Sequence, residues 1–163
     1  METLEKVSRF LDRISVYVAG IVLSVMIILT CANIFLRIVW LPIGGTFELM
    51  GYMGAVAAAL VLGRTQSAGG HISVNVLIDV FPQKVKNRLK VINSSIMLLF
   101  FAVITWQIFK IALNLQETGE VSETLRIVFY PFTHFVALGS AFLTFTLLVD
   151  LIKALSSKRE ELT

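Results

Sequence analysis

Charged side chains leave long gaps in this chain, and the gaps dictate what it can fold into. Between Arg13 and Arg37 lie 23 uncharged residues, Ile14 to Leu36. Another 19 separate Lys90 from Lys110, and 23 separate Arg126 from Asp150. Each gap approaches the roughly 20 residues that a helix needs to cross about 30 Å of hydrocarbon. A fourth is shorter, with 15 residues between Glu48 and Arg64. A helix from Thr46 to Arg64 would still be about 27 Å long at 1.5 Å per residue, with Glu48 and Arg64 at opposite edges. Four spans are therefore predicted, at about 14–36, 46–64, 88–112 and 131–152. The expected fold is an all-α integral membrane protein, one membrane domain over residues 1–163. Composition agrees: 56% of residues are hydrophobic and 15% charged, with a mean hydropathy of +0.83. Soluble domains carry about 25% charge, and disordered chains are poor in apolar residues.

Pro42, Pro82 and Pro131 fall between apolar runs or at their beginnings, where a missing backbone N–H costs least. The basic residues set an orientation. With the N-terminus inside, eleven of them lie on cytoplasmic segments and only Arg37, Lys110 and Arg126 lie outside. That bias places both termini in the cytoplasm. Trp40 and Trp106 then sit near the outer interface as anchors in the lipid bilayer. The same topology accounts for the net charge of +3 without nucleic acid.

Shorter segments carry further expectations. Residues 1–13 read as an interfacial amphipathic helix, with Leu4, Val7, Leu11, Ile14 and Val18 on one face and Glu5, Lys6, Arg9 and Asp12 off it. The long apolar run that follows lacks a small-residue cleavage site and does not read as a signal peptide. Ile72 to Phe81 alternates like a strand, but an unpaired strand is costly beside a membrane, so a surface helix is favoured. Ser122 and Glu123 could start a short helix before Pro131.

Few residues could carry chemistry. Thr46 is expected to cap the second span, with Glu48 in its first turn, where the helix dipole favours a negative charge. Arg64 would mirror it at the other end, and either residue could instead contact a partner. His71 lies in a cytoplasmic loop and His134 near the outer end of the fourth span, too far apart to share a haem. Cys31 is the only cysteine, so neither a disulfide within the chain nor a cysteine cluster can form. The sequence calls for no cofactor or metal, and no catalytic triad, carboxylate pair or phosphate loop appears. The middle of each span lacks Asp, Glu, Lys and Arg, which transporters usually need on their substrate path. The second span is rich in small residues: Gly51, Gly54, Ala55, Ala57, Ala58, Ala59 and Gly63. These permit close helix association, within the bundle or against another subunit.

Residues 46–82, TFELMGYMGAVAAALVLGRTQSAGGHISVNVLIDVFP, resemble the signature of the small permease subunit of tripartite ATP-independent periplasmic (TRAP) transporters. The resemblance lies in Glu48, the Ala/Gly-rich helix, Arg64, His71-Ile72, Val74-Asn75 and Pro82. The chain departs from it in having Phe47 where Trp is frequent and Asn75 where Asp is common. The resemblance implies a scaffold subunit of a sodium-driven importer of organic acids such as C4-dicarboxylates or sialic acid, located in the bacterial inner membrane. It further implies a large permease subunit as partner and a transient periplasmic substrate-binding protein. Gly51, Gly54, Ala55 and Ala58, with Glu48, Arg64 and His71 at the edges, would form the partner interface. Two other readings are a self-assembling four-helix exporter, which would need a carboxylate in its first span, and a structural subunit of a respiratory complex.

Overall fold

A computed structural model describes residues 2–68 and 83–160. Four helices make up nearly all of it: α1 (Glu2–Val39), α2 (Thr46–Ser67), α3 (Gln83–Thr118) and α4 (Tyr130–Glu160). All four are long and apolar enough to cross a membrane. The stretch 72–81, with His71 and Pro82, lies outside the described residues.

Helix α4 is the centre of the bundle. It packs along α3 and α2 and over a shorter stretch against α1, while α1 also packs along α2. The contacts are made mostly by small side chains. Among the described residues Ala57, Ala59, Gly63, Ala137 and Ser140 are buried, and the large side chains that are fully enclosed are Leu143 and Leu147. Lipid tails are as apolar as leucine, so burying leucine between helices gains little, whereas close backbone approach gains van der Waals contact. Gly139 marks the tightest approach of one helix backbone to another among the glycines described. A Cβ there would lie 2.7 Å from the Ala59 carbonyl carbon and 2.9 Å from the Leu60 nitrogen.

Residues 2–13 are helical, as expected, but they form no separate element. They are the first turns of a continuous 38-residue helix. At 1.5 Å per residue α1 is about 57 Å long, well beyond the roughly 40–45 Å of a whole bilayer. The stripe that turns inward is also the polar one. Ser8, Asp12, Ser15 and Ala19, spaced by four, three and four residues, are buried, while Val7, Ile14 and Val18 are exposed. The sequence reading set Asp12 off the apolar face, which is right. The apolar face of this helix, however, looks away from the bundle.

Two other local expectations are corrected. Thr46 does not cap α2: Gly45 occupies the cap position with φ 71°, and the Thr46 hydroxyl instead donates to the Ile43 carbonyl at 2.7 Å. Gly45 suits this site because of its positive φ and because the Leu125 side chain fills the space a Cβ would need. Nor do Ser122 and Glu123 start a helix. The Arg126 N–H donates to the Ser122 carbonyl at 3.2 Å, which closes one helical turn. Arg126 then takes a left-handed conformation (φ 52°), and a Val121–Val128 antiparallel bridge closes the loop. A single α-turn cannot propagate through such a residue.

The Gly139 contact predicts that Gly139→Ala lowers the stability of the detergent-solubilised chain by about 1–3 kcal/mol through overpacking. Gly20→Ala, where nothing lies within 4 Å of the added carbon, should be neutral or slightly stabilising. Thermal unfolding of the two variants side by side checks both.

Candidate functional site

Helix α2 has two different faces. With about 100° between successive residues, Gly51, Gly54, Ala55 and Ala58 share an arc of roughly 100°. Val56, Ala59, Leu60 and Gly63 lie on the opposite side and are buried against the rest of the chain. The seven small residues of this span therefore divide. Ala57, Ala59 and Gly63 serve the bundle itself, while Gly51, Ala55 and Ala58 are exposed. Gly54 is half-buried at the edge, where a Cβ would touch the Met26 methyl at 3.7 Å. Phe47, 88% exposed, stands at the head of this outward row. The outward faces of the neighbouring helices are built of large residues, such as Ile21, Ile27 and Phe35 on α1 and Ile96, Leu99 and Phe100 on α3.

The charged edges of the span behave differently from each other. Glu48 lies in the first turn of α2, and its carboxylate reaches the loop between α3 and α4. Oε1 accepts the Thr124 N–H at 2.8 Å and Oε2 accepts the Leu125 N–H at 3.3 Å. Asn33 fastens the other loop at this end by accepting the Ile43 N–H at 2.7 Å. Arg64, in the last turn of α2, is exposed and lies off the outward row of small residues. His71 falls outside the described residues. Trp40 and Trp106 are exposed, with the Lys110 ammonium 5.4 Å from the Trp106 ring centroid.

At the opposite end of the bundle, polar side chains join three helices. The Ser67 hydroxyl donates to Asp12, the Gln66 amide donates to Asp150 at 3.0 Å, and Ser8 and Thr146 share a hydrogen bond at 3.4 Å. This cluster escaped the sequence reading. Its signal was present in the spacing of Ser8, Asp12 and Ser15, of which the sequence reading used only Asp12, set off the apolar face. On α4, the Nδ1–H of His134 donates to the Tyr130 carbonyl at 2.9 Å. Among the described residues no three His, Cys, Asp or Glu side chains are grouped to hold a metal.

A long apolar bundle with an outward strip of small residues and no catalytic grouping among the described residues fits a membrane subunit that packs against something else. Residues 26–157 match the family model of tripartite ATP-independent periplasmic transporters, DctQ component. The chain belongs to the DctQ family. The match covers about four-fifths of the sequence and extends well beyond the 46–82 signature. No curated protein and no solved structure matches the chain. DctQ is a non-enzymatic membrane component of TRAP transporters, which sets aside the exporter and respiratory-subunit readings. Membership also brings the other components of a tripartite transporter as partners in general terms.

The Glu48 contacts generate a direct expectation. Glu48→Ala removes the acceptor for both loop N–H groups, so the 119–129 loop should open and trypsin should cut faster after Arg126. Glu48→Gln keeps one oxygen acceptor and should fall between Ala and the native residue. Limited proteolysis of the three proteins, with helix content followed by circular dichroism, tests the order.

Proposed function

We propose that this DctQ chain is the stationary scaffold of a sodium-driven organic-acid importer, and that the outward row of α2 seats the large permease subunit. The observation that carries the proposal is the contrast between faces. Gly51, Ala55 and Ala58 are small and exposed, whereas α1 and α3 turn large aliphatic and aromatic residues outward. A small-residue row lets a second helix approach at backbone distance, and lipid chains gain little from such a surface. Gly54 and Met26 form one margin of the seat.

The chain itself is not the translocation path. The acids and bases of the described spans lie toward the helix ends, as Asp12, Glu48, Arg64, Lys110 and Asp150 do. Substrate selection and ion coupling belong to the large subunit, and C4-dicarboxylates or sialic acid are the substrate classes that fit. Arg64 and His71 would make polar contacts at the edges of the seat. Glu48 would act indirectly, by holding the loop beside it. The exposed Glu117, Glu120 and Glu123 on the same side offer the periplasmic binding protein a transient acidic contact. In this reading the chain sits in a bacterial inner membrane with both termini cytoplasmic, which the distribution of basic residues supports.

Ala58→Phe or Gly51→Leu should sharply reduce co-purification of the large subunit and uptake, while the isolated chain remains folded and monodisperse. Leu148→Phe, on an exposed position of α4, should leave both unchanged. Full assembly and uptake with Ala58→Phe would place the interface elsewhere.

A further inference from the structure

Helices α3 and α4 do not close on each other along their whole length. They meet where the hydroxyls of Thr105 and Thr144 share a hydrogen bond at 3.1 Å. Beside that contact an open groove of about 600 Å³ runs along the pair. Its walls include Ala102, Leu138 and Ala141, then Trp106, Phe109 and His134. Lys110 stands at the rim, its ammonium over the Trp106 ring.

We propose that this groove is a phospholipid site that takes one acyl chain, with the lipid phosphate held against Lys110 and the Trp106 indole. Two observations converge on that occupant. The first is the lining: part of the groove is alanine and leucine beside the mutually hydrogen-bonded Thr105 and Thr144, and the rest is an indole, a phenyl ring and an imidazole with an ammonium next to them. An amphiphile with an apolar tail and an anionic head matches that lining. The second is charge. Lys110 supplies a cation, and Trp and Lys side chains are the usual anchors at headgroup level.

Such a groove cannot stay empty within a bilayer, since vacant volume forfeits the contacts of every atom lining it. The site involves none of the outward α2 residues, so it stands or falls independently of the scaffold reading.

Native mass spectrometry of the chain extracted from its own membranes in mild detergent tests the site. One retained phospholipid per chain is expected. Ala141→Trp should lower retention by about tenfold, equivalent to displacing roughly two buried methylene groups. Lys110→Glu keeps the groove intact and should shift the retained lipid away from anionic headgroups such as phosphatidylglycerol toward zwitterionic ones. A photoreactive residue in place of Leu138, in otherwise native protein, should cross-link to lipid. Three results would each overturn the proposal: no retained lipid, equal retention by native protein and Ala141→Trp, or cross-linking from position 138 to another protein chain. An unchanged headgroup distribution in Lys110→Glu would overturn the assignment of the phosphate to Lys110.

Discussion

The backbone contact between Gly139 on α4 and Ala59 on α2 is the constraint on which the rest of the bundle depends. In water a four-helix core would be held by leucine and phenylalanine leaving solvent. In lipid that driving force is nearly absent, and helices must earn their contact by proximity. A missing side chain on α4 and a methyl on α2 bring the two backbones together. From this pair the remaining packing extends in both directions. Gly63, one turn beyond Ala59, leaves room for the Asp12 carboxylate of α1 and lies against the backbone at Phe142 and Leu143. On the far side, α4 carries α3 through Thr144 and Thr105.

Polar side chains add the specificity that small ones lack. A row of alanines can slide by one turn with little loss, but a carboxylate paired with a hydroxyl cannot. Asp12 with Ser67, Gln66 with Asp150, and Ser8 with Thr146 fix the register of α1, α2 and α4 at one end. Glu48 with the Thr124 and Leu125 amides does the same at the other end, through a loop. All of these lie toward helix ends, where an ionised group costs far less than at the bilayer centre. Hydroxyls supply the ties nearer the middle.

How much of this was legible in the sequence follows from what fixes each feature. The four spans are set by where charge is tolerated, and charge positions can be read directly. The presence of a close-packing helix was legible too, from the density of Gly and Ala after Glu48. Which of those residues turn inward was not, because both sides of α2 are small and the choice is made by Gly139, eighty residues away. The burial of Asp12 was hidden for a related reason. An amphipathic stripe means core in water, while in lipid the polar stripe is the one that seeks the interior. The loop after α3 failed locally: Ser122 and Glu123 carry a helix-start signal, yet the turn ends at Arg126 because the chain must reverse to meet α4.

The two faces of α2 also bear on how a chain with so small a core could fill the proposed scaffold role. Its inward face commits to α4 and α1, which leaves the helix no freedom to rotate about its axis. The outward row is therefore presented at one fixed angle. The Glu48 latch sits between Phe47 and Gly51, so the end of the row is held by the same loop that opens α4. A partner docking on this row meets a surface whose orientation and depth are set by the bundle. It need not pay the ordering cost that a freely turning helix would impose. The proposed scaffold role calls for rigidity of that kind, and the bundle supplies it with alanines, glycines and a few polar ties.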